Sequence, residues 1–277
     1  MPSSDRAAAV TRLKGLRGTL VPLVTPVDGD RRVCATSVAG LVESLRGHVG
    51  AYVPALSTGE GWTLTPGQWT DMVRLTVEHA AGTPVLAGVA LGDAAGVRSR
   101  ARAAAGLGAD AVVVPPPFPG PDGTRRGLVE HFAEILDGSP LPVLVYHEHV
   151  VSGAPLDLEA LRAVCALPGV VGVKDSSGSA DFTRGLLDVL DGGVDVPVFQ
   201  GWENLITEVP GVQGFVGPLA NLEPSVCDEA LAAGAEDAQH RVDALSERYR
   251  LLTDDWYLHV KAELVRRGVI GTALPVD

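Results

Sequence analysis

The chain has 277 residues, 46% of them apolar and 20% charged, a balance that predicts a large packed core and excludes wholesale disorder. Its formal net charge of −12 and scattered Lys and Arg argue against nucleic acid as a partner, since phosphate backbones need clustered cations. Cys34, Cys165 and Cys227 are too few and too far apart for a disulfide framework or a zinc knuckle. No stretch reaches the roughly 20 apolar residues of a membrane span, and the N-terminus lacks a signal-peptide core, so a cytoplasmic protein is expected.

Along the chain, eight short apolar runs stand out, at 19–25 (TLVPLVT), 51–56 (AYVPAL), 84–90, 110–115, 141–147, 170–174 (VVGVK), 196–200 and 212–217. Most are rich in Val and Leu without polar alternation, the pattern of parallel strands covered on both faces. Helical patterns lie between them. The segment 36–49 offers Thr36 or Ser37 as an N-cap and repeats Leu41, Leu45 and Val49 at helical spacing. Residues 65–82 open on Thr-Pro, and 92–108, 123–138 and 157–169 behave similarly. Eight strands alternating with helices predict a (β/α)8 TIM barrel, whose usual size is about 250 residues. An open doubly wound sheet is the competing fold, but no GxGxxG follows the first strand. The expected organisation is a lead-in over 1–17, the barrel over 18–222, and a helical C-terminal extension over 223–277.

In such a barrel the active site forms at the C-terminal ends of the strands. The polar residues at those ends are Thr25, Ser57, Thr58, Tyr146, Lys174 and Gln200. Lys174 is the sharpest candidate, because burial disfavours an ammonium and frees the amine to attack a ketone and form a Schiff base. The alternative is a stem packed along the barrel with its charge paired to Asp175. Tyr146 ends the fifth strand as Lys174 ends the sixth, so the two should be neighbours, with the phenol able to move a proton. The stretch STGEG (57–61) after the second strand pairs two hydroxyls with a glycine-flanked turn suited to a carboxylate, or forms an ordinary βα turn. His147 and His149 lie at i and i+2, but two ligands without a third do not make a metal site, so no metal is expected.

These stretches, in this order, resemble the dihydrodipicolinate synthase/N-acetylneuraminate lyase superfamily of class I, Schiff-base aldolases. GTLVPLVTPVD (18–28) is similar to its opening strand and STGEGWTLTPGQW (57–69) to its G-[ST]-T-G-E motif. VVGVKDSSG (170–178) is similar to its lysine strand, and GVQGFVGPLANLEP (211–224) to its eighth-strand pattern. The resemblance implies a lysine imine between Lys174 and an α-keto acid, typically pyruvate, with Tyr146 as acid/base. It further implies Ser57 and Thr58 on the keto-acid carboxylate and Val216 lining the pyruvate pocket. Gly201, Glu203 and His147 are expected among the substrate-binding residues, with packing behind the site as the other reading of His147. No metal or organic cofactor is implied, and a homodimer or homotetramer is.

The departures bear on substrate. The family's Y-N-x-P motif is here YHEHVVSG (146–153), and Val151 stands where the synthase branch carries a carboxylate-gripping arginine. Phe118 stands in place of that branch's relay tyrosine. Both count against dihydrodipicolinate synthesis and favour a lyase or aldolase, with a keto-deoxy-sugar-acid dehydratase or a dihydrodipicolinate synthase-type condensation on the same site as the alternatives. A non-catalytic keto-acid-binding relative is the reading of another class.

Overall fold

The computed structural model describes residues 3–117, 125–148, 156–233 and 236–277. Each apolar run of the sequence overlaps a strand: β1 Gly18–Pro22, β2 Ala51–Val53, β3 Leu86–Gly88, β4 Ala111–Val114, β5 Val143–His147, β6 Val170–Asp175, β7 Val198–Gln200 and β8 Gly214–Phe215. All pair in parallel, in the order β2-β1-β8-β7-β6-β5-β4-β3. A parallel bridge between Tyr52 and Val85 joins the two ends of that order, so the sheet closes on itself. The result is the expected (β/α)8 barrel.

Strand side chains alternate between two apolar compartments, as the pleat requires. One set points inward: Leu20, Val53, Leu86, Val113, Leu144, Tyr146, Val171, Phe199 and Val216 fill the barrel lumen. The other set, including Val112, Val114, Val143, Val145, Val170 and Val173, packs against the surrounding helices. Nearly every strand residue is therefore buried, which is why the runs read as continuous hydrophobic stretches.

The helices in chain order are α1 Ser3–Lys14, α2 Ala35–Leu45, α3 Pro66–His79, α4 Ala94–Leu107, α5 Arg125–Gly138, α6 Leu158–Cys165, α7 Ala180–Asp191, α8 Pro224–Ala233, α9 Glu236–Arg248 and α10 Trp256–Arg266. From α1, Leu13 is fully buried with the lumen residues. α3 starts as its sequence indicates: Pro66 follows a capping box in which Thr65 and Gln68 each bond the other's backbone N–H. α2 corrects an expectation. Its N-cap is Cys34, with no side-chain cap bond, and neither Thr36 nor Ser37 fills that place. The Ser37 hydroxyl accepts instead from the N–H of Gly271, 3.0 Å away, tying α2 to the C-terminal segment.

Candidate active site

A cavity of about 280 Å³ opens at the C-terminal ends of the strands. Its inner wall is Lys174 and Tyr146, register partners on β5 and β6. Both are 4% exposed. Lys174 Nζ lies 4.1 Å from the centroid of the Tyr146 ring, and the Tyr146 hydroxyl is 3.4 Å from Ser57 Oγ. The amine, the phenol and the first hydroxyl of the STGEG stretch thus form one continuous row.

Ser57 and Thr58 head a tight 3-10 turn, Ser57–Gly59, and both line the cavity. Three ties hold that turn. Thr25 Oγ1, from the β1 end, donates to Gly59 O at 2.7 Å. Glu60 closes the turn in the left-handed region at φ 57° and returns its N–H to Ser57 O. The Glu60 carboxylate, in turn, receives Lys261 Nζ from α10 and the N–H of Val276 (2.9 Å). Lys261 is wholly buried and also donates to Leu274 O at 2.8 Å.

The remaining side of the cavity follows β7. Gln200 Oε1 accepts from the N–H groups of both Gly201 (2.8 Å) and Trp202 (3.0 Å), which folds residues 201–203 inward. Gly201 is there for space: a Cβ would fall 2.1 Å from Ser176 Oγ and 3.1 Å from Lys174 Cε. Glu203 is 2% exposed, and its Oε1 accepts from Leu219 N–H at 3.0 Å. Burial raises its carboxyl to about 7, against the lowering effects of the Leu219 N–H and the Lys174 charge.

That shift has a consequence for stability. A carboxyl whose folded-state pKa lies above its unfolded value of 4.5 stabilises most below pH 4.5, and the benefit is lost as pH rises through about 7. The loss amounts to as much as about 3 kcal/mol. Glu203→Gln should flatten this slope, as read by urea unfolding at pH 5 and pH 8. Parallel slopes for wild type and variant would contradict it.

The structure therefore gathers Ser57, Thr58, Tyr146, Lys174, Gly201 and Glu203 around one cavity. Val216 is not among the lining residues; it packs in the lumen cluster that includes Tyr146. His147, expected among the substrate-binding residues, does not line the cavity either. With Tyr146 turned inward, the pleat turns His147 outward, where its ring stacks on Phe182 of α7 at 4.8 Å and Nδ1 sits 2.8 Å from Asp175 Oδ1. Asp175 is itself fully buried and takes Ser177 and Thr183 hydroxyls, so it serves this outer network rather than Lys174. The second histidine of the HEH stretch, His149, and the departures Val151 and Phe118 lie outside the described residues.

Sequence reasoning missed the outer wall. Trp62 follows the STGEG turn, Trp202 follows Gly201, and Leu251, Leu252, Asp254 and Trp256 come from the α9–α10 connection. The break in helical pattern at LLTDDW (251–256) was the available signal, but nothing local says that this corner folds over the mouth of a barrel.

A buried lysine and a tyrosine side by side at the mouth of a (β/α)8 barrel, facing a hydroxyl-bearing turn, define a lysine-dependent carbonyl-chemistry site by class. Comparison with known proteins narrows this. Residues 15–275 match the model of the dihydrodipicolinate synthetase family. A 4-hydroxy-tetrahydrodipicolinate synthase of Xanthomonas campestris is 31% identical over 270 residues, spanning 94% of this chain and 89% of the relative. An uncharacterized DapA-like lyase of Halobacterium salinarum is 31% identical over 280 residues, spanning 97% and 90%. Among solved structures, the dihydrodipicolinate synthase of Acinetobacter baumannii complexed with pyruvate superposes with a TM-score of 0.83 at 26% identity, covering 94% of this chain and 91% of that one. The chain belongs to the dihydrodipicolinate synthetase family, and with it to the class I lyases and aldolases.

Proposed function

We propose that this enzyme joins pyruvate to an aldehyde, or cleaves the product back, through an imine on Lys174. The observation that carries this reading is the Lys174 amine, 4% exposed and 4.1 Å from the Tyr146 ring, in a cavity that water-sized groups can enter. The neutral amine attacks the keto carbon of pyruvate; the carbonyl oxygen leaves as water and an imine remains. Tyr146 Oη delivers and removes the protons of those steps, with the Ser57 hydroxyl, 3.4 Å away, as its neighbour in the row. Ser57 and Thr58 hold the substrate carboxylate, and Gly201 leaves room for the substrate carbon beside the lysine stem. Val216 belongs to the lumen cluster that also holds Tyr146. The protonated imine is itself the electron sink, so the chemistry calls for neither a metal nor an organic cofactor.

The test is borohydride reduction in the presence of pyruvate, followed by intact-mass and peptide analysis. A stable adduct on Lys174 is expected; no adduct with pyruvate or with a longer keto acid would sink the assignment. Tyr146→Phe should lower steady-state turnover by about 10²–10⁴-fold, the usual contribution of one positioned acid/base group. Near-normal turnover would assign the proton transfers to another group.

The assembly this reading entails is a homodimer or homotetramer, which sedimentation of the purified protein would reveal. Among the described residues no helix is long and apolar enough to cross a membrane, in keeping with a cytoplasmic enzyme.

A further inference from the structure

The chain contains four tryptophans, and three of them, Trp62, Trp202 and Trp256, line this one cavity. They arrive from three separate places: the segment after β2, the segment after β7, and the start of α10. Trp202 is fixed in place, its Nε1 donating to Ser176 O at 3.1 Å. Leu251, Leu252 and Pro218 line the same cavity. Leu252 is 58% exposed, one of three large apolar side chains that are exposed among the described residues. An exposed apolar side chain at the entrance of a cavity lined by three half-buried indoles suits an apolar ligand.

The charges point the same way. Among the described residues Lys174 is the only cation lining the cavity, whereas Glu148, Glu203 and Asp254 are acids. Once Lys174 is an iminium holding a keto acid, and that iminium has lost a proton from the adjacent methyl carbon to become an enamine, the positive charge is gone. A second substrate bearing a carboxylate would then find no Lys or Arg among the described lining residues to pair with, which disfavours it.

We infer that the acceptor is an uncharged aldehyde carrying an aromatic or similarly flat apolar group, held against the indoles of Trp62, Trp202 and Trp256. The inference rests on the lysine-imine reading of the same site. In the reaction it entails, the methyl-derived carbon of the enamine bonds to the aldehyde carbon. The aldehyde π pair moves to oxygen, which takes a proton, and the nitrogen returns to the iminium state. Water then cleaves the iminium, freeing the Lys174 amine and a 4-hydroxy-2-keto acid that bears the aryl group.

The test gives the wild-type protein pyruvate with one aldehyde at a time: benzaldehyde, 2-naphthaldehyde, succinic semialdehyde, glyceraldehyde and 4-aminobutanal. Pyruvate consumption is followed, and borohydride trapping with pyruvate alone is run in parallel. The aromatic aldehydes should exceed the other three in kcat/KM by about tenfold or more, the scale of discrimination a shaped apolar wall provides. Trp62→Ala should raise the KM for the aromatic aldehydes by about three- to tenfold, as expected for one lost aromatic contact. If pyruvate leaves no adduct on Lys174, the imine reading fails first. If the adduct forms but succinic semialdehyde, glyceraldehyde or the aminoaldehyde is the best acceptor, or no aldehyde turns over, the acceptor assignment alone is overturned.

Discussion

Lys174→Met should abolish turnover, by at least about 10⁴-fold, while leaving the protein folded and at least as stable as the wild type. The two halves of this result have separate causes. Chemistry is lost because an imine requires the amine, and no other lysine lines the cavity among the described residues. Stability is retained because methionine keeps most of the stem's volume within the wall of Tyr146 and Gly201 and removes a polar group that is 4% exposed. Function and stability pull in opposite directions at such a position, so a melting temperature equal to or above wild type is the expected signature. The measurement pairs a thermal melt with steady-state turnover and borohydride trapping. A variant that still formed a trapped adduct would move the nucleophile elsewhere, and a variant that unfolded would show that Lys174 is structural.

How much of this was legible in advance follows from the range of each signal. The eight strands were readable because strands buried on both faces leave contiguous runs of Val and Leu, and the adjacency of Tyr146 and Lys174 followed from two consecutive parallel strands. The orientation of His147 was also within reach. With Tyr146 turned into the lumen, period two turns the next residue outward, which favours packing behind the site over substrate contact for His147. The α2 cap escaped because Ser37 has a better partner in Gly271, 234 residues away, and the propensity of a single residue says nothing about that. Least legible was the outer wall. Leu251, Leu252 and Trp256 meet Trp62 only through the path of the last helices over the barrel, a contact set by tertiary packing alone.

The same long-range packing underlies the second large effect, at Lys261. Lys261→Met should destabilise the protein by about 3–5 kcal/mol, the cost of stranding one member of a buried ion pair. The stranded group is Glu60, 6% exposed, whose carboxylate would retain only the N–H of Val276. For a chain of this size the loss corresponds to roughly a 10 °C fall in melting temperature. The double variant Lys261→Met/Glu60→Gln should recover much of it, because a neutral amide can keep the Val276 bond without a buried charge. The pair also reaches the chemistry. Glu60 is a non-glycine residue at φ 57°, a conformation that costs about 1 kcal/mol and closes the Ser57–Gly59 turn. With its carboxylate no longer held between α10 and Val276, the turn that presents Ser57 and Thr58 loosens. The KM for pyruvate should then rise about tenfold in Lys261→Met while kcat at saturating pyruvate changes little, since Lys174 and Tyr146 are on strands that the pair does not touch. Equal stability of the single and double variants would show that the cost is lost packing rather than a stranded charge. A fall in kcat with KM constant would show that Lys261 acts on the chemistry and not on the carboxylate-holding turn.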